Sequence, residues 1–286
     1  MWILDFRHEA LTPIFKALTF CGEATFFLLV FTVGYWVLDR RIFARATLVM
    51  LGALFLNSLL KAIFQVPRPD ASLMLVEAHG WSFPSGHAMA AGAVWPWLAY
   101  ESKRRWAMPA AILLAFGVAA SRVYLGVHTL WDVSWGLLLG ALLLPVAAAW
   151  RDEAPGFWQR LSCGSQTLYL AVVVVLTLAV CPVYDGDTTG AKVGGALVTL
   201  WWGLAWDRRR GHALPTSAGT KVLAAGLGLA GTFGLRFFTK ATLGASPLDP
   251  LWIDFLRYAV LGLWIAAGAC ASFYALGLAR PEIQDA

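Results

Sequence analysis

About nine stretches of this chain are long and apolar, and they dominate what it can become. They fall at roughly 23–38, 44–66, 86–100, 107–123, 129–149, 166–183, 190–206, 221–238 and 251–278. A bilayer core of ~30 Å takes about 20 apolar residues per helix. Stretches of this length, rather than short alternating ones, exclude a membrane β-barrel. The fold class expected is all-α, a polytopic transmembrane helix bundle. Composition agrees: of 286 residues 59% are hydrophobic and only 14% charged, where a soluble domain carries roughly 25%. Fifteen tryptophans suit a chain with many membrane–water boundaries.

Residues 1–22 differ from the rest of the chain. Leu11, Ile14, Phe15 and Leu18 repeat at helical spacing, with Arg7, Glu9 and Lys16 off that stripe. This predicts an amphipathic helix lying on the membrane surface. Asp5 and Glu9 precede any apolar run, unlike the start of a cleaved signal peptide. Residues 23–150 then form one transmembrane half. Residues 151–286 form a second half of unknown role, after a polar break that includes Pro155 and Gly156.

Orientation comes from the short loops. Arg40, Arg41 and Arg45, then Lys103, Arg104 and Arg105, then Arg151 and Arg160, then Arg208 to Arg210, and finally Arg280 follow alternate spans. The intervening loops, 184–187 and 244–249, are poor in cations. Basic loops stay cytoplasmic, so the N-terminus is expected outside and the C-terminus in the cytoplasm. The net charge of +5 is spread over these loops and lacks the clustered basic face of a nucleic-acid binder. Cys21, Cys163, Cys181 and Cys270 show no paired or metal-type spacing and read as free thiols.

A few ionisable residues break the apolar pattern, and near a membrane such residues are functional suspects. Lys61 and Arg68 leave the second span, Ser85 and His87 open the third, and Arg122, His128 and Asp132 bridge the fourth and fifth. On the topology above, all of them reach the same, non-cytoplasmic side. His128 and Asp132, four apart, share one helical face. A carboxylate there can fix the imidazole tautomer and leave the other ring nitrogen free to attack or take a proton. Arg122 and Arg68 offer planar forks that match phosphate oxygens, and Lys61 can reach along its helix toward them. Pro84-Ser85-Gly86-His87 opens a helix whose first N–H groups favour an anion. Gly86 there permits close approach, and His87 can supply a proton. Trp81, Phe83, Tyr124 and Trp131 are expected to line the site.

Three segments carry a resemblance. Lys61 with Arg68-Pro69, then Pro84-Ser85-Gly86-His87, then Ser121-Arg122 with His128 and Asp132 match the signature of the type-2 phosphatidic-acid phosphatase superfamily. That family also includes vanadium haloperoxidases, glucose-6-phosphatases and sphingosine-phosphate phosphatases. The resemblance implies a metal-independent reaction through a phosphohistidine, with no cofactor. It implies His128 as nucleophile, Asp132 as its orienting partner and His87 as general acid. Lys61, Arg68, Ser85, Gly86 and Arg122 would bind the phosphoryl oxygens. A chain of about nine spans, N-terminus out, is similar to the glucose-6-phosphatase and sphingosine-phosphate phosphatase branches.

The function expected is a phosphatase acting on a lipid phosphate or diphosphate that arrives from the bilayer of a plasma (inner) membrane. Undecaprenyl diphosphate, phosphatidic acid, phosphatidylglycerol phosphate and sphingoid phosphates are the substrate candidates. Three other readings stay open: a phosphatase for a soluble ester, a lipid phosphotransferase, and a lipid transporter or scramblase.

Overall fold

A computed structural model of the chain describes residues 7–152, 156–180, 187–211, 213–244 and 248–279. The regular structure of these residues is helical, with no strand among them. Residues 1–6 of the expected surface helix, Pro155, Cys181, the loop positions 184–186 and 245–247, and Arg280 lie outside them. Cys21, Cys163 and Cys270 are free thiols.

In chain order the helices are α1 (Thr12–Phe20), α2 (Ala24–Val37), α3 (Arg40–Phe64), α4 (Gly86–Ser102), α5 (Ala107–Tyr124) and α6 (Leu130–Asp152). They continue as α7 (Gly156–Arg160), α8 (Cys163–Val180), α9 (Thr189–Arg210), α10 (Ala218–Leu243), α11 (Pro250–Leu263) and α12 (Ala269–Ala275). Among the described residues five segments are long and apolar enough to cross a membrane, by length and composition: α3, α5, Leu130–Ala149 of α6, α10, and Pro250–Ala275. A sixth arises if α1 and α2, bent by 48°, count together. The other expected spans are helices too, with reasons for falling short. Seventeen residues make up α4, with Pro96 inside. The apolar part of α8 is the short run Cys163–Ala179. Lys192, Asp207 and three arginines dilute α9.

The described residues divide into two compact units. One holds 7–28, 48–152, 180 and 187–190; the other holds 29–47, 156–179, 191–211, 213–244 and 248–279. All the expected site residues lie in the first, and 187–190 joins them there from beyond the middle of the chain.

In the first unit α4 is the central helix. Ala88, Met89, Ala91 and Ala93 are fully buried, and small residues here let neighbouring backbones come close. On α6, Gly136 and Gly140 face it. A Cβ at Gly136 would stand 2.7 Å from the carbonyl oxygen of Ser85, and one at Gly140 would collide with that of Met89. Small residues at this spacing are a common means of close helix contact in membranes. Here they bring together the N-terminal ends of α4 and α6. Against α5 lies α1. Its apolar stripe divides: Phe15 stacks on Tyr124 with ring centroids 4.0 Å apart, while Leu11 and Ile14 are 41% and 55% exposed.

In the second unit Asp207 is buried and accepts hydrogen bonds from Tyr35 (2.9 Å) and Arg40. Trp36 Nε1 donates to the carbonyl of Ile265, inside a π-helical turn, Trp264–Gly268, that joins α11 to α12. Asp254 holds Arg257 at 2.8 Å and Lys192 at 3.4 Å.

Candidate active site

Two loops and three helix ends build the site. After Phe64, Gln65 takes a φ of +48° and Pro67 comes two residues later, so α3 cannot continue. The backbone N–H of Ser82 donates to the carbonyl of Val66 at 2.8 Å, which fastens the second segment beside the first. Arg68 then ties the first segment to the loop before the second and to the third. Its Nε donates to the carbonyl of Gly80 at 3.0 Å, its Nη2 to that of His79 at 2.6 Å, and its Nη1 to that of Val127 at 3.0 Å. The same Nη1 lies 3.3 Å from Nε2 of His128.

That contact fixes the imidazole. Arginine can only donate, so Nε2 of His128 is the acceptor and the ring proton sits on Nδ1. Nδ1 is 3.2 Å from Oγ of Ser82, and Ser82 donates in turn to Oδ2 of Asp132 at 2.7 Å. Nδ1 and Oδ2 themselves are 3.6 Å apart, beyond a good hydrogen bond. The expected shared helical face is not formed: α6 starts at Leu130, so His128 stands in the turn before it and Asp132 in its first turn, with Ser82 between them; all three are 2% exposed or less. The backbone N–H of Thr129 gives the same Oδ2 a second donor at 2.7 Å. Burial, with Arg68, Arg122 and Lys61 nearby, outweighs the neighbouring Asp132 and lowers His128 from its ordinary value to about 3.

Ser85 is the N-cap of α4 and fully buried, and its own N–H donates to the carbonyl of Asp132 at 3.0 Å. An N-cap serine ordinarily accepts from the first helical turn. Here Oγ makes no such bond and has no partner among the described residues. A buried hydroxyl without a partner is costly, and a bound anion would satisfy it. Gly86 is next, and a Cβ there would come 3.1 Å from Oδ1 of Asn57. His87, in the first turn of α4, is half-buried.

Arg122 occupies the last turn of α5 and is 6% exposed. Its Nη1 donates to Oγ1 of Thr19 at 2.7 Å, and its Nε has no partner among the described residues. Lys61 lies within reach of an acid from the far side of the chain, with Nζ 3.5 Å from Oδ2 of Asp187.

His128, Asp132, Ser85 and Arg68 are therefore gathered directly, and the charges of Lys61 and Arg122 act on His128. Two expected lining residues turn elsewhere. Tyr124 is buried against Phe15, and its hydroxyl donates to the carbonyl of His8 and contacts Thr12. Trp131 is 65% exposed and packs edge-on against Trp135. Trp81 stands beside Gly80 and Ser82 on the loop that Arg68 binds.

Four residues enter that sequence reading did not assign to the site. Ser82 lies three before Ser85, where a lone serine gives no signal. Thr19 belongs to a helix read as a surface element. Asn57, 2% exposed, donates to the carbonyl of Pro84 at 2.9 Å and so braces the turn before Ser85. It stands four before Lys61 on α3, and that helical spacing was the available clue. Asp187 has no sequence neighbour in the site.

Residues 42–155 match the PAP2 superfamily, and residues 191–281 match the transmembrane extension of PAP2 superfamily phosphatases. The chain is 30% identical over 167 residues to phosphatidylglycerophosphatase B of Bacillus subtilis (strain 168), covering 54% of this chain and 82% of that protein. The chain belongs to the PAP2 superfamily. All the expected site residues lie within the first matched stretch, and Asp187 and Thr19 lie outside both. Sphingosine-1-phosphate phosphatase 2 of Homo sapiens is 26% identical over 202 residues, 63% of this chain and 48% of that protein. The chain thus spans about half the length of that relative. A crystal structure of the first transmembrane PAP2 type phosphatidylglycerolphosphate phosphatase from Bacillus subtilis aligns with a TM-score of 0.46 and 29% identity, over 54% of this chain and 83% of that one.

Proposed function

We propose that this PAP2 superfamily member is a membrane-embedded phosphatase that removes phosphate from a lipid phosphate through a phosphohistidine on His128, without a metal. One observation carries the reading. Nε2 of His128 carries no proton, because it accepts from Arg68, a cation suited to phosphate. A nucleophilic nitrogen and a phosphate-binding group are thus held together before any substrate arrives.

In this reading Nε2 attacks phosphorus while the bond from phosphorus to the lipid oxygen breaks. The departing oxygen takes its proton from His87, which would gain that proton together with the anionic substrate. Water then attacks the phosphohistidine, His87 takes its proton, and phosphate leaves with His128 restored. Phosphoryl transfer of this kind depends on positioning and on fixed charge around the equatorial oxygens. Lys61, Arg68 and Arg122 would supply that charge, with Ser85 Oγ and the backbone N–H of Gly86 as further donors. Asp132 would hold the His128 tautomer through Ser82.

The substrate would come from the bilayer, the apolar helices holding its tail. We place the protein in a plasma (inner) membrane with about nine spans, N-terminus outside, C-terminus in the cytoplasm, α1 at the surface and the site on the non-cytoplasmic side. Support for that topology comes from the alternation of arginine-rich and cation-poor loops.

The test is phosphate release by the detergent-purified protein from phosphatidic acid, phosphatidylglycerol phosphate, a sphingoid phosphate and undecaprenyl diphosphate, with glucose 6-phosphate as the soluble comparison. The expected result is release from at least one lipid, lost in His128→Ala. Release that survives in His128→Ala sinks the phosphohistidine. Release from glucose 6-phosphate alone sinks the lipid substrate.

A further inference from the structure

Asp187 meets a cation of the proposed phosphate cradle from outside the stretch matching the PAP2 superfamily. Three contacts hold it. Its Oδ2 is 3.5 Å from Nζ of Lys61. Its Oδ1 accepts from the backbone N–H of Thr189 at 3.0 Å, at the start of α9. Its side chain also fills the space beside Gly80, whose φ is +71° and where a Cβ would stand 2.5 Å from Oδ2. Gly80 belongs to the loop that carries Arg68's acceptors and leads into Ser82. Asp187 therefore lies on the wall of the site, with Lys61 on one side and the loop of Arg68 on the other. The side chains of Lys61 and Asp187 are 13% and 20% exposed, so their charges act through partly excluded solvent. Burial pushes the Asp187 carboxyl up, but Lys61 and Thr189 outweigh it and hold it below the usual carboxylate value.

A carboxylate in this place changes what the site can hold. Lys61, Arg68 and Arg122 are the cations of the cradle, and Asp132 and Asp187 stand beside them. Asp132 is engaged with Ser82 and Thr129, whereas Asp187 pairs with a cation of the cradle, Lys61. An anion in the cradle feels attraction from each cation and repulsion from Asp187, and both grow with the anion's charge. A second phosphoryl group adds charge without adding a cation to receive it.

We propose that Asp187 is a specificity-determining residue that sets this site for monophosphates against diphosphates. The inference rests on the phosphatase reading above and narrows its substrate class. Its origin beside the transmembrane extension gives the C-terminal half of the chain a part in substrate choice.

The experiment uses the full-length protein in detergent and two measurements. One is kcat/KM for farnesyl phosphate and farnesyl diphosphate, which share an alcohol and differ by one phosphoryl group. The other is the inhibition or direct binding constant of inorganic phosphate and of pyrophosphate. Asp187→Asn is the informative variant, because asparagine keeps the acceptor for Thr189 and its helix start while removing the charge. In Asp187→Asn the ratio of pyrophosphate to phosphate affinity is expected to rise by about tenfold, the size of one like-charge contact at a partly screened site. The farnesyl diphosphate to monophosphate ratio should rise with it. Asp187→Glu, which keeps the charge, should stay near the wild-type ratios. Unchanged ratios in Asp187→Asn, or an equal rise in Asp187→Glu, overturn the proposal. The binding ratio still reads if a variant binds without turnover. A wild type that binds both anions but releases phosphate from no lipid would instead sink the phosphatase reading and leave the role of Asp187 decided by the binding ratio.

Discussion

Ser82 donates its hydroxyl proton to Oδ2 of Asp132 at 2.7 Å, and this bond, rather than a direct one, connects Asp132 to His128. The chain of donors is consistent from end to end. Arg68 donates to Nε2 of His128, Nδ1 faces Oγ of Ser82 as a donor, and Ser82 donates to Asp132. Removing the middle member leaves Nδ1–H and Oδ2 3.6 Å apart in a buried site. Ser82→Ala should therefore lower kcat about ten- to hundredfold, the cost of one unmade buried hydrogen bond, and leave KM within about twofold. The double variant Ser82→Ala with Asp132→Asn should be little worse than the worse single one, because both act through the same ring. Additive losses would show that Ser82 and Asp132 act separately.

Thr19 offers a second test, because it reaches Arg122 from a helix with no other evident part in chemistry. Its Oγ1 accepts from Nη1 of Arg122 at 2.7 Å in a buried setting. Thr19→Val keeps the shape and removes the acceptor. Arg122 then loses its aim, and inhibition by inorganic phosphate should weaken by about tenfold, in line with one hydrogen bond to a charged group. An inhibition constant equal to wild type would mean that Arg122 does not bind phosphate or does not need Thr19.

What the sequence disclosed and what it withheld divide along a physical line. His128 and Asp132 were readable as a pair from their four-residue spacing, although α6 begins only at Leu130 and His128 stands in the turn before it, and Arg68 because flanking prolines make its place in the backbone predictable. Ser85 and Gly86 were readable as a helix start. Ser82 was not, since its role comes from the loop that Arg68 and Val66 fasten, a set of contacts between residues far apart in sequence. Asp187 lies beyond the middle of the chain and meets Lys61 only through tertiary folding. The surface-helix reading of α1 had the same blind spot. Its stripe pattern was visible, while the division that sends Phe15 and Leu18 onto α5 depends on Tyr124 and Gly117 being there. The longer helices were legible from apolar runs. Which of them are long and apolar enough to cross a membrane turns on details, such as the seventeen residues of α4 and the charges of α9.

The titration of His128 offers a third test. Its folded value, about 3, lies below the ~6.5 of an unperturbed histidine. Between those values the unfolded chain binds a proton that the folded protein does not. Stability linked to this ring is therefore fully present above about pH 6.5 and is lost as pH falls toward 3, at about 1.4 kcal/mol per pH unit. Against His128→Gln, which cannot take that proton, wild-type protein should lose thermal midpoint progressively from pH 6.5 to 4.5. Parallel midpoint curves for the two proteins would place the histidine near its ordinary value.

The scaffold can be tested through its glycines. Gly136 lets α6 approach α4 where Ser85 donates to the carbonyl of Asp132 at 3.0 Å, so packing and site geometry meet at one residue. An added Cβ would stand 2.7 Å from the Ser85 carbonyl oxygen and 3.0 Å from Cβ of Ala88. Backbone at that distance cannot rotate aside, so the two helix ends must separate. Gly136→Ala should cost about 1–3 kcal/mol of stability, as overpacking does, and lower kcat as well, since Ser85 and Asp132 move apart. Gly52, inside α3, is the comparison, because nothing lies within 4 Å of a Cβ built there. Gly52→Ala should leave activity unchanged and raise stability by about 0.5–1 kcal/mol through the helix backbone alone. Thermal midpoints and phosphate release measured on both variants separate the two cases. Loss in Gly52→Ala equal to that in Gly136→Ala would mean that any change in these helices is harmful, and that contact between α4 and α6 has no special hold on the site.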